Sequence, residues 1–272
     1  MEEFFIEWVG GMLIDFQQSI ETAVEILGQD LKSNVNMWNM VGTLHGIIKP
    51  VCYIIMVVFF LIEFIKMTMK MDMIKWENIF KMMMKFVIVK AFVDYGPDLM
   101  DLIYSTVAEW TTDYGDTTYD SGMFTEIMEN MEKKLLDLGF WEILGMIATC
   151  ILHLLVINIC AFIVKVVAYG RLIEIYILLA CMPIPFAFVL DEHSQITKKY
   201  ILNFAGVCLQ GLLIVLSCSL FQYLMADTVK AVGADSSASA TDMLFTMCLA
   251  AVVLVLAITK CGQWGKQLLN AA

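Results

Sequence analysis

The sequence predicts an all-α, polytopic membrane fold, and three observations carry that prediction. The 272 residues are 60% hydrophobic and only 17% charged, against about 45–50% and about 25% in soluble domains. The mean hydropathy of +0.76 is an apolar excess too large for a single core to hide, so most of it should face lipid. The apolar residues also fall in runs long enough to cross a bilayer. The same figures exclude secreted disulfide scaffolds, disordered tails and basic nucleic-acid-binding domains. A formal net charge of -11 gives no general attraction to DNA phosphates or anionic lipid.

The acidic start Met1-Glu2-Glu3-Phe4 is followed by no small-residue cleavage site, so a cleaved signal peptide is not expected. Residues 4–27 place Phe5, Trp8, Val9, Met12, Leu13, Phe16, Ile20, Val24 and Leu27 at helical spacing. Glu7, Asp15, Glu21 and Glu25 interrupt the run, so this helix is expected to lie along a surface rather than cross the membrane. The first span is Ile47–Ile65, with Pro50 near its start, where a missing amide proton costs least. A second falls between Phe80 and Trp110, its run Phe86-Val-Ile-Val interrupted by Lys90, Asp94, Pro97, Asp98 and Asp101. Residues 141–190 are too long for one crossing and are broken by Lys165, Gly170 and Arg171. Two further runs cover Tyr200–Met225 and Met243–Thr259, around a small-residue loop at Ser236–Thr241.

Lysines orient the spans. Residues 66–90 hold Lys66, Lys70, Lys75, Lys81, Lys85 and Lys90 against Asp72 and Glu77, whereas residues 94–140 hold 11 acidic residues against Lys133 and Lys134. The Lys/Arg bias places 66–85 in the cytoplasm and the N-terminal helix outside. If 172–190 crosses, Lys198, Lys199, Lys260 and Lys266 lie outside; if it dips in and returns, or lies buried against other helices, all four lie inside. Glu174 and the Pro183-Ile-Pro185 break suit a discontinuous, re-entrant element. The expectation is five crossings, six if 172–190 spans, with the N-terminus out and the C-terminus in. The chain divides into an extracellular amphipathic segment (1–45), two membrane helices with a lysine-rich link (46–110), an acidic outer loop (111–140) and a membrane domain (141–272).

Little in the sequence carries reaction chemistry. The eight cysteines lie mostly inside apolar runs without a CxxC pair, and read as small buried hydrophobes. His45, His153 and His193 have no second ligand at helical spacing. Met67, Met69, Met71, Met73 and Met82–Met84 could offer thioethers to monovalent copper, but among lysines they read better as adaptable packing. Gly262-Gln-Trp-Gly-Lys266 lacks the phosphate-loop spacing, and no nucleophile elbow or HExxH is present. No enzyme, cofactor or metal site is expected.

The polar residues inside the spans are more informative. Lys90, Asp94, Asp98 and Asp101 share one helical face, and a charge at a helix centre costs about 2.5–3.5 kcal/mol on insertion scales. This face should therefore meet protein or water: either a Lys90–Asp94 ion pair with carboxylates in the headgroup layer, or a pore lining. Asn203, Gly206, Gln210 and Ser217 likewise share a face, for interhelical hydrogen bonds or a polar lumen.

Leu178-Leu-Ala-Cys-Met-Pro183-Ile-Pro185-Phe-Ala, Ser194-Gln195-Ile-Thr-Lys198-Lys-Tyr200, and Asn203 to Ile214 with Leu209-Gln210-Gly211 resemble the TrbL-like polytopic subunit of type IV secretion, in its Gram-positive conjugative form. The ending Lys260-Cys-Gly262…Lys266…Asn270-Ala271 is also similar, although Cys261 stands where a polar residue is commoner. The likeness is strongest over 172–272 and looser before that. It implies a channel or scaffold subunit in a bacterial plasma membrane, helping to move relaxase-bound single-stranded DNA. Its implied partners are the system's ATPases, coupling protein, small membrane subunits and further copies of itself. A free-standing solute or ion transporter using the Lys90–Asp94 face is the alternative, weakened because the Pro183–Pro185 segment has no second copy.

Overall fold

The computed structural model describes residues 2–69, 76–118, 140–191, 194–234 and 240–269, and among these every regular element is helical. Helix α1 is Glu2–Gly28, a 3-10 turn covers Leu31–Ser33, and α2 is Val35–Met69. Helix α3 is Trp76–Thr118, α4 is Phe140–Cys181 and the short α5 is Pro183–Ala187, followed by a 3-10 turn at Phe188–Leu190. Helices α6, Ile196–Ala234, and α7, Ala240–Leu268, complete the chain. Lys70, Lys75, Met71 and Met73, most of the acidic loop, His193, Ser236–Ser239 and Asn270 lie outside the described residues.

Among the described residues four stretches are long and apolar enough to cross a membrane: Val35–Met69, Ile151–Leu190, Ile196–Met225 and Phe245–Leu268. These lie on α2, on α4 with its continuation, on α6 and on α7. Helix α3 is longer than any of them, at 43 residues. Its charges keep it out of this set.

The expected break at Lys165, Gly170 and Arg171 is absent, since α4 runs unbroken to Cys181. One interior glycine costs a helix only about 1 kcal/mol, and lysine and arginine can carry their charges outward on apolar stems. Proline removes a backbone donor outright, so the break falls at Met182-Pro183 instead. Residues 172–181 therefore continue α4, and the helix is interrupted only at the proline segment. Helix α6 bonds to backbone on both sides of this break: Thr197 Oγ1 donates to Pro185 O at 2.5 Å, and the Tyr200 hydroxyl donates to Leu178 O. Pro50 also differs from expectation. Helix α2 starts at Val35, so Pro50 is well inside it rather than at its start.

Contacts divide the chain into two compact units. The first comprises residues 1–28, 109–171 and 210–264. Here α1 buries Phe16, Ile20, Ala23 and Leu27. Phe16 meets Phe221 edge-on at 5.7 Å, and a Cβ at Gly211 would lie 3.8 Å from Leu27. Between Phe16 and Leu27, helix α1 thus runs against α6. His153 stacks edge-on with Phe245 at 5.8 Å, and Arg171 approaches Gly262, so α4 and α7 run the same way.

The second unit comprises residues 29–108, 172–209 and 265–272. Phe60 meets Phe86 at 5.0 Å and Lys49 meets Asp94 at 2.6 Å, so α2 and α3 are antiparallel. Phe59 packs on Phe188 at 5.3 Å and Phe92 on Phe186 at 5.5 Å. These rings seat the proline-broken segment against α2 and α3. The Tyr200 and Thr197 bonds set the end of α4 antiparallel to the start of α6.

Candidate intramembrane polar site

Polar side chains gather in one cluster system in each unit. In the second unit the Lys90, Asp94, Asp98, Asp101 face is divided between two cations that the sequence reading passed over. Asp94 Oδ1 is 2.6 Å from Lys49 Nζ and also accepts the Tyr53 hydroxyl. Lys49 and Tyr53 are four residues apart on α2, so they reach α3 together. Asp94 is thus paired with a cation of another helix, while Lys90 stands exposed one turn earlier.

Asp98 and Asp101 share Lys32, whose Nζ lies 3.2 Å from Asp98 Oδ1 and 2.9 Å from Asp101 Oδ2. Lys32 belongs to the 3-10 turn, capped by Asp30 Oδ1, which accepts the Lys32 N–H at 3.0 Å. Two tyrosines hold the same turn: Tyr104 OH donates to Gln29 O at 3.1 Å, and Tyr176 OH to Leu31 O at 2.8 Å. The Trp38 ring lies 5.0 Å from the ammonium. The Asp101 hydrogen bond, aided by Asp98, holds the Lys32 ammonium above the usual lysine range. The two carboxylates differ in exposure: the Asp98 side chain is 63% exposed and that of Asp101 10%. The second carboxylate oxygen of Asp101 is buried without a hydrogen-bond partner.

In the first unit Gln210 is fully buried, and its Nε2 donates to Gly262 O at 2.7 Å. Ser217 Oγ donates to Leu213 O at 2.8 Å and lies 3.4 Å from Cys261 Sγ. A Cβ on Gly262 would fall 2.8 Å from an Arg171 guanidinium nitrogen. The glycine therefore makes room for an arginine beside the α6–α7 contact. Gln210 thus joins α6 to α7, and Ser217 lies beside Cys261 on the same helix pair. In the second unit Asn203 is half-buried, and a Cβ at Gly206 would stand 3.4 Å from Gly265 O.

The remaining motif residues are structural or exposed. Pro183 and Pro185 are buried, Ser194 Oγ accepts the Ile196 N–H at 3.3 Å, and Gln195, Lys198 and Lys260 are exposed. Ser194, Thr197 and Lys198 line an open cleft of about 430 Å³ with Asp191. Lys266 reaches Glu174 at 4.0 Å, which gives that carboxylate a cation. Among the described residues no group of three or more His, Cys, Asp or Glu side chains is arranged to hold a metal. Cys52, Cys160, Cys181, Cys208, Cys218, Cys248 and Cys261 are free thiols.

Lys32, Lys49, Tyr53 and Arg171 are the polar-site residues that pattern reading missed. Only the spacing of Lys49 and Tyr53 at the head of the first span could have flagged a pair. Lys32 lies 66 positions from Asp98, beyond the reach of any periodicity argument.

Long apolar helices that alternate in direction and enclose paired charges define a polytopic α-helical membrane protein. The TrbL/VirB6 plasmid conjugal transfer like protein family matches residues 17–183, more than half of the chain, and the chain belongs to that family. The match ends at Pro183, so the motifs at 194–214 and 260–271 lie beyond it. The family is carried by the part of the chain where the resemblance read as looser. No curated protein and no solved structure matches the chain.

Proposed function

We propose that this chain is a channel or scaffold subunit of a conjugative type IV secretion machine, helping relaxase-bound single-stranded DNA across a bacterial plasma membrane. The family match over 17–183 is the observation that carries this reading. The chemistry is compatible with it. Asp94, Asp98 and Asp101 are held by Lys49 and Lys32, and on this reading the work of transport comes from the machine's ATPases and coupling protein. Small membrane subunits and further copies of the chain are the other proposed partners. No catalytic role is assigned to it.

We also read α3 as a fifth crossing, with the N-terminus outside and the C-terminus in the cytoplasm. The alternation of helix direction within each unit supports this, because successive crossings must reverse. In the second unit that alternation gathers Lys66, Lys81, Lys85, Lys198, Lys199 and Lys266 towards the ends of helices that the positive-inside rule assigns to the cytoplasm.

Affinity purification of the tagged chain from its native membrane in mild detergent tests the role. Co-recovery of a secretion ATPase, with loss of plasmid transfer on deletion and its return on complementation, is expected. A chain recovered alone that catalyses solute flux, or a deletion that leaves transfer intact, would refute the proposal.

A further inference from the structure

Helix α3 continues through Gly96-Pro97. Proline has no N–H, so the Val93 carbonyl four residues earlier has no donor within its own helix. At membrane depth such a group is tolerated when a neighbour serves it. That neighbour is His45 of α2, a buried side chain whose Nε2 is 2.9 Å from Val93 O. Because a carbonyl only accepts, Nε2 must carry the proton. The backbone at Gly96 comes so close to the fully buried Met182 that a Cβ there would overlap its side chain. The helix is also gripped on both sides of the proline: Lys49 and Tyr53 hold Asp94, and Lys32 holds Asp98 and Asp101.

We propose that Gly96-Pro97 is the bending point of α3 and that His45 is its latch. In an ordinary helix the bond to the Val93 carbonyl would be local and would hold the two arms straight. Here that bond belongs to another helix. A small displacement of α2 releases it, which a bond inside α3 could not allow. Seating of His45 and the angle between the arms of α3 are then a single event. The charge clamps restrict where each arm can go, and the latch selects one position. This goes beyond the proposed role in transfer and does not depend on it.

The test is a distance between spin labels on ketone-bearing residues placed at Ile54 and Thr106, so that the native cysteines remain, in the full chain reconstituted into lipid nanodiscs. Ile54 and Thr106 are both exposed. Thr106 lies nine residues past Pro97, an arm of about 13.5 Å, so a swing of about 20° displaces it by about 5 Å. The unsubstituted latch should give one narrow distribution. His45→Phe, which lacks the donor, should add a second population displaced by about 5 Å. His45→Gln, which keeps an N–H, should stay narrow. Pro97→Ala restores the helix's own donor, so it should be narrow and should not respond to His45→Phe. An unchanged distribution in His45→Phe, or broadening that persists in the His45→Phe, Pro97→Ala double variant, overturns the proposal. If His45→Phe alone does not accumulate, the double variant must accumulate as well as Pro97→Ala does; failure of that rescue also overturns it.

Discussion

Replacing Lys49 by methionine should destabilise the protein far more than the same replacement of Lys90. Lys49 Nζ sits 2.6 Å from Asp94 Oδ1, with the two side chains 30% and 22% exposed. Removing one partner of a fully buried ion pair costs about 3–5 kcal/mol, and removing one from an exposed pair costs under about 1 kcal/mol. This pair lies between those limits, and the Tyr53 hydroxyl remains on the carboxylate to offset part of the loss. The expected cost of Lys49→Met is about 2 kcal/mol. For a chain of 272 residues that lowers the melting temperature by about 4–8 °C. Trp fluorescence during thermal unfolding in detergent measures it. Asp94→Asn in the Lys49→Met background should recover most of the loss, because the penalty comes from a stranded charge rather than from missing contacts. Lys90→Met should fall within about 0.5 kcal/mol of the unsubstituted protein, as exposed substitutions usually do. Equal shifts for Lys49→Met and Lys90→Met, or no recovery in the double variant, would refute the pairing argument.

Gly262→Val should displace the Arg171 guanidinium, from which even a Cβ would fall 2.8 Å, and cost up to about 1 kcal/mol, the low end for overpacking. Gly211→Ala meets only ordinary contact with Leu27 at 3.8 Å, so it should be neutral or gain up to about 1 kcal/mol from helix propensity; thermal melts of both variants check the contrast. The Lys32 clamp should show a specific pH dependence. Its folded pKa is raised above 10.5, so its stabilisation is complete below pH 10.5 and is lost as pH rises through the folded value. The stability gap between the unsubstituted protein and Lys32→Met should therefore be flat near neutrality and close only at strongly alkaline pH, as denaturant titrations across that range would show. For the orientation, a cysteine at Ser194 should resist a membrane-impermeant thiol reagent in intact cells, while one at Ser239 should react; equal labelling of both from outside would reject the five-crossing arrangement.

Much of the fold was legible because lipid imposes a one-dimensional demand. A crossing needs about 20 apolar residues in a row, and that requirement is visible as runs at 47–65, 141–190, 200–225 and 243–259. Helix α3 was harder to read because its charges break the run. Those charges are tolerated by partners on other elements, Lys49 on α2 and Lys32 in the 3-10 turn. The break within 141–190 was misplaced for a related reason. Lysine, glycine and arginine look disruptive in a string of apolar letters, yet each keeps its backbone N–H and can remain helical. Only the prolines withdraw a donor, and the structure breaks there.

The sequence by itself determined that this chain is a helical membrane protein and which end of each span carries the lysines. Composition and run length suffice for those statements because they depend on each residue's own transfer energy. Only the tertiary structure decided which charge answers which, that Gln210 joins α6 to α7, that α1 covers α6, and that His45 serves the carbonyl orphaned by Pro97. These depend on distances between residues tens of positions apart, and helical periodicity says which face a side chain occupies but not which helix lies against it.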